Sequence, residues 1–123
     1  MSAIPNEPYE LIVSIVNNGY TDLVMEGARK AGARGGTVLT ARGTGNPDIE
    51  KFFGIVITPE KEVVMILVPR DIRDQVLEAI NASAGMSTRG QGIAFSMAVS
   101  DTVGLQPVEK EEIKVGEERK ESE

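Results

Sequence analysis

The chain reads as an α+β domain with the order strand, helix, two strands, helix, strand. Three observations carry that reading. Apolar runs rich in β-branched residues recur along the chain, two intervening segments place apolar residues at helical spacing, and glycine, asparagine and proline punctuate the joints.

Tyr9 to Val16 is β-branched and apolar, which predicts a buried strand, and Asn17-Asn18-Gly19 breaks it. Thr21 or Asp22 can then cap a helix running to about Ala31. Tyr20, Val24, Ala28 and Ala31 form its apolar stripe, with Leu23 and Gly27 beside it; Gly32 ends it. Gly36 to Arg42 predicts a strand continuing to Gly43, with Val38 the clearest inward candidate. Thr44 to Asp48 is a loop by composition. Phe52 to Ile57 and Val63 to Val68 read as a hairpin joined by Thr58 to Glu62. Asp71 can open a second helix carrying Ile72, Val76, Ala79 and Ile80, closed at Ala84-Gly85-Met86. The last strand runs from about Ile93 to Val99.

This order predicts the ferredoxin-like βαββαβ arrangement, an antiparallel sheet with both helices on one face. Leu11 to Val16 and Val63 to Val68 lack the alternation of a half-wet sheet, so the uncovered face is expected to be buried against other copies of the chain. The domain spans 9–105, preceded by an extension at 1–8 and followed by an acidic, mobile tail at 106–123. Glu109 to Glu123 holds seven glutamates against three lysines and one arginine.

Composition narrows the function. With 123 residues one modest core is expected. A net charge of −6 and three phenylalanines argue against nucleic-acid binding. No apolar run approaches the roughly 20 residues of a membrane span, and no secretion signal opens the chain. No cysteine is present, and the cytoplasm is the simplest location. With neither His nor Cys, a general base must be Asp, Glu or Lys, and a transition-metal centre lacks its usual ligands. Asp71 and Asp74, three apart, are explained by a helix N-terminus. The chain reads as a sensor rather than an enzyme. Met25, Met65, Met86 and Met97 read as core and edge filling, and Tyr20 as a packing residue.

Two glycine-punctuated stretches, Gly35 to Gly45 and Arg89 to Phe95, are the functional candidates. Glycines at such joints leave backbone N–H groups bare, which a loop wrapping phosphate oxygens needs. Gly36-Thr37-Val38 leading to Arg42-Gly43-Thr44-Gly45, then Val68-Pro69-Arg70-Asp71-Ile72, then Gly90-Gln91-Gly92-Ile93-Ala94-Phe95, resemble the PII nitrogen-regulatory signalling family across roughly residues 9 to 105. The resemblance implies a homotrimer that binds an adenine nucleotide in clefts between subunits and controls a target protein, such as a membrane transporter, through a loop after the second strand. Thr37, Gly43 and Gly45 would line the cleft from one subunit, completed by Lys61, Gly90, Gln91 and Gly92, with Arg42 and Arg89 as further cations. The docking loop would be short, about Thr44 to Lys51, and includes Asn46, Pro47 and Asp48; Phe52 and Phe53 adjoin it. Taken singly, Lys61 reads as a solvated turn charge, Arg42 as the partner of a surface glutamate, and the glycines as turn residues.

Several positions depart from the family pattern. Ile93 stands where a lysine is common, and Asp101 to Pro107 contains no cation. Fewer cations point to AMP, ADP or a cyclic nucleotide rather than ATP, with Mg²⁺ entering on the nucleotide if at all. Pro47 replaces the glutamine associated with 2-oxoglutarate, and the loop has no tyrosine to be modified. Two other βαββαβ regulators also fit the topology: an amino-acid-binding domain of the ACT type, and a structural trimer of the divalent-cation-tolerance type.

Overall fold

A computed structural model describes residues 7–44, 54 and 59–105. Strand β1 (Tyr9–Asn17) is followed by α1 (Thr21–Lys30), β2 (Thr37–Arg42) and β3 (Glu60–Pro69). A 3₁₀ turn (Arg70–Ile72) leads into α2 (Arg73–Ala84), and β4 (Ile93–Val99) completes the domain. The strands form one sheet in the order β2-β3-β1-β4. Every neighbouring pair is antiparallel. This is the predicted ferredoxin-like α+β fold.

Pleating sends alternate residues of β1 and β3 to opposite faces, and their runs show no alternation in sequence because both faces are apolar. Glu10, Ile12, Ser14 and Val16 are buried, while the residues between them are half-buried. The buried set joins Val64, Ile66 and Val68 of β3 with Val24, Met25, Ala28, Val76, Ile80 and Ala84 of the helices. Leu11, Val13 and Ile15 face the other way. The register sets them beside Leu67, Met65 and Val63 on one side and Met97, Phe95 and Ile93 on the other. Both faces are apolar, but among the described residues only one carries helices. Phe95, Met97 and Ile93 are 43%, 49% and 52% exposed.

The helices meet closely because Gly27 has no side chain. A Cβ there would lie 2.5 Å from Ser83 Oγ and 2.7 Å from Ala79 O, against the backbone of α2. Ser83 Oγ in turn donates to Leu23 O at 2.8 Å. Glu10 anchors the start of α2. Its buried carboxylate accepts from Arg70 Nε at 3.1 Å and from Arg73 Nη1 at 3.3 Å, and Arg70 N–H donates to Pro8 O at 3.0 Å.

Several sequence expectations are corrected. Neither helix has a side-chain cap: Tyr20 and Ile72 occupy the N-cap positions, so Thr21, Asp22 and Asp71 do not serve as caps. Asp71 and Ile72 belong to the 3₁₀ turn. The strand that pairs with β3 across the connection is Thr37–Arg42. Both edges of β3 are taken over residues 61–65, by β2 and β1; the expected strand at 52–57 lies outside the described residues. Glu60, Lys61 and Glu62 are strand residues, not a turn. Val38 faces the helix side opposite Val64 but is 44% exposed on the edge strand. Met25 is core, whereas Met86 and Met97 are exposed.

Ser14 Oγ is fully buried and has no hydrogen-bond partner among the described residues. Burying a hydroxyl without a partner costs free energy that alanine does not incur. Ser14→Ala is therefore predicted to leave stability unchanged or raise it by up to about 1 kcal/mol. Urea denaturation would show a midpoint held or shifted upward at constant slope; a clear loss of stability would contradict this assignment.

Candidate functional site

One end of the sheet gathers most of the candidate residues. β1 ends there at Asn17, β2 at Arg42, and β3 begins there at Glu60. The register places Asn17 opposite Lys61, and Lys61 opposite Ala41. Arg42 is exposed, and Gly43 N–H donates to Pro59 O at 2.8 Å. The connection from α2 to β4 approaches the same end, because Asn17 N–H donates to Gly90 O at 2.8 Å. Arg42, Gly43, Lys61 and Arg89 to Gly92 therefore belong to one neighbourhood. Thr44 is exposed beside it; Gly45, Asn46, Pro47, Asp48 and Lys51 lie outside the described residues.

The connection from α2 to β4 is organised by Thr88. Its hydroxyl donates to Gly85 O at 2.7 Å and accepts from Gly90 N–H at 3.2 Å. Its carbonyl accepts from Gln91 N–H at 3.1 Å, and Gly92 N–H donates to Ala84 O at 2.8 Å. This corrects the expectation of bare amides: the N–H groups of Gly90 and Gly92 are already bonded within the protein. The absent side chain explains Gly92 better. A Cβ there would meet Ala84 O at 2.5 Å and Val16 Cγ1 at 2.7 Å. Gln91, between the glycines, has φ 45°, a left-handed conformation uncommon for a non-glycine residue.

Lys61 is half-buried, and its Nζ donates to Asn17 Oδ1 at 2.7 Å. It is a held cation, not a mobile turn charge. The carboxylates on either side of it turn to the helix side of the sheet. Glu60 Oε2 accepts from Asn18 Nδ2 at 3.3 Å, and Glu62 Oε1 accepts from Gly19 N–H at 2.7 Å. A cavity of about 340 Å³ lies here, lined by Asn18, Thr40, Ala41, Arg42, Glu60 and Lys61.

Thr37 is elsewhere. It starts β2 opposite Met65, five residue steps from Arg42, about 16 Å of chain. The sequence reading grouped Thr37 with Gly43, but within one protomer they sit at opposite ends of β2. Thr37 lines a larger cavity of about 850 Å³ with Tyr9, Leu11, Met65 and Leu67 on its apolar side and Arg34 and Asp71 among its polar residues. The pKa of the Tyr9 phenol is raised, first by burial and then by Glu7. Sequence reasoning missed this cavity, and also missed Asn17, which composition assigns to a turn. Among the described residues, no group of three or more His, Cys, Asp and Glu side chains is placed to hold a metal, and no helix is long and apolar enough to cross a membrane.

The family model for nitrogen regulatory protein P-II matches residues 9–109. No curated protein matches the chain. Among solved structures, the chain is similar to Arabidopsis thaliana PII bound to citrate, at 25% identity and TM-score 0.60, covering 86% of this chain and 91% of that one. It is also similar to B. subtilis GlnK in complex with ATP, at 17% identity and TM-score 0.61, covering 80% of this chain and 89% of that one.

The glycine geometry yields a prediction that separates packing from ligand binding. Gly92→Ala forces a Cβ onto a backbone oxygen and is expected to cost about 1–3 kcal/mol. Gly43→Ala meets only Pro59 Cγ at 3.2 Å and the Lys61 stem at 3.5 Å, and should be tolerated. Thermal melts of the two variants would reveal the difference; equal melting temperatures would contradict the packing role of Gly92.

Proposed function

The chain belongs to the nitrogen regulatory protein P-II family, and we propose that it is a signalling protein that binds an adenine nucleotide between subunits of a homotrimer. One observation carries this reading. The cation and glycine-loop cluster and the cavity lined by Thr37 occupy opposite ends of β2, so one protomer does not join them, and a second copy of the chain could bring them face to face. The helix-free side of the sheet provides the contact for such a copy, because its exposed Ile93, Phe95 and Met97 are apolar. In this reading the base rests against Leu11, Met65 and Leu67 near Thr37. The phosphates of the same nucleotide reach Lys61 and Arg89 of the neighbouring copy, while Arg42, paired in register with Glu60 on the other face of β2, approaches only around the strand end.

The structure of GlnK with ATP supports an adenine nucleotide as the ligand class. The cation set of this chain favours fewer phosphates. Ile93 follows Gly92 directly, and Asp101 to Leu105 offers neither lysine nor arginine. A held ammonium and two guanidinium groups suit one or two phosphates, with charge-assisted hydrogen bonds replacing the amide cradle. Occupancy would bias the Thr44–Lys51 loop toward a conformation that contacts the ligand, and so alter docking of a target protein, a membrane transporter being one candidate. Any Mg²⁺ would arrive with the nucleotide. The protein would act in the cytoplasm, as a regulator and not an enzyme.

Two measurements test the proposal. Light scattering should give three times the 13.2 kDa of one chain. Titration calorimetry should show ADP and AMP binding at least as tightly as ATP. Phe95→Asp, which places a charge on the open sheet face, should dissociate the assembly and abolish nucleotide binding together. A stable monomer that still binds ADP would overturn the proposal, as would the absence of heat with any of the three nucleotides.

A further inference from the structure

Asn17, the last residue of β1, holds both halves of the cation and loop cluster. Its Oδ1 accepts from Lys61 Nζ at 2.7 Å. Its Nδ2 donates to Arg89 O at 3.1 Å and lies 3.5 Å from Gln91 Oε1. Its backbone N–H donates to Gly90 O at 2.8 Å. Chemistry leaves one orientation for this carboxamide. An ammonium only donates and a backbone carbonyl only accepts, so a flipped amide would oppose donor to donor and acceptor to acceptor. Lys61 thereby dictates which end of Asn17 faces the loop.

The loop needs such support. Gln91 sits at φ 45°, a conformation that costs a non-glycine residue free energy and persists only where its surroundings impose it. Thr88 holds the loop from inside, and Asn17 holds it from the sheet. An ammonium has three donors, so Lys61 can keep Asn17 while offering the others to an anion.

We propose that Asn17 is a positioning residue that links Lys61 to the shape of the Arg89–Gly92 loop, so that a phosphate meeting Lys61 finds the loop already set. This inference rests on the nucleotide-site reading for its purpose. The link itself is a property of the ligand-free protein, where Lys61 and the loop are joined through one amide.

The link is tested first without ligand, by amide hydrogen exchange on the full chain. In Lys61→Met the bond lost is the one to Asn17. The amides of Gly90 and Gln91 should nevertheless exchange about three- to tenfold faster, the effect of one lost hydrogen bond, while those of Tyr9 to Val16 keep their rates. Asn17→Ala should accelerate the same amides. Asn17→Asp keeps an acceptor for Lys61 but loses the Nδ2 donor, and should behave like the alanine variant at the loop. Unchanged loop exchange in Lys61→Met overturns the proposal, since an Asn17 that merely packs would not transmit the change. The second measurement is ADP titration. Asn17→Ala should weaken ADP binding about tenfold, and adding it to Lys61→Met should weaken binding no further. Additive losses would overturn the coupling. Absence of ADP binding by the unaltered protein would reject the nucleotide reading, and exchange in the ligand-free protein would still decide the role of Asn17.

Discussion

The fold rests on burial of one face of β1. Ile12 and Val16 are sealed between the sheet and the helices, which fixes the pleat of the central strand and, through its register, the pleat of β3 and β4. A shift of one residue would exchange the two faces. It would turn Glu10 away from Arg70 and Arg73 and Asn17 away from Lys61. The position of the candidate site at the strand ends follows from the packing of the strand middles.

The same pleat sorts charge in an acidic chain. Glu60, Lys61 and Glu62 alternate, so both carboxylates turn to the helix side and the ammonium turns to the open face. There the carboxylates meet donors from the turn before α1, Asn18 Nδ2 and Gly19 N–H. Separated from them by the sheet, Lys61 keeps its positive charge directed at the face where a neighbouring copy would pack. A net charge of −6 thus says little about the site, because strand geometry decides which charges share a surface.

The element order and the family likeness were legible in the sequence because both are carried locally, by apolar period and by glycine spacing. What escaped depends on contacts between distant positions. The continuous apolar run of β1 concealed its two faces, since both are apolar, although the lack of alternation did point to an open face in need of cover. Lys61 read as a turn residue because Pro59 and the flanking glutamates have turn composition, yet pairing with Asn17 and Ala41 holds it in a strand. Composition also marks Gly90 and Gly92 as bearers of free amides. The hydroxyl of Thr88 and the carbonyl of Ala84, which occupy those amides, are apparent only in three dimensions. Asn17 read as a strand breaker, and its side-chain partners lie 44 to 74 residues away.

With those amides occupied, charge recognition falls to side chains, and side chains must be aimed. A lysine stem has several rotatable bonds, and fixing it on a ligand costs entropy that a pre-bound ammonium has already lost. Asn17 restrains Lys61 before any ligand arrives, and the same amide restrains the loop through Arg89 O. Thr37 and its cavity stand about 16 Å of strand away on the same protomer, so in the proposed assembly the preorganised cations are paired with the base-receiving surface of another copy. In that proposal, assembly and ligand binding draw on one feature, the helix-free side of the sheet. A change that disturbs either would then be felt by the other without any conformational relay through the core.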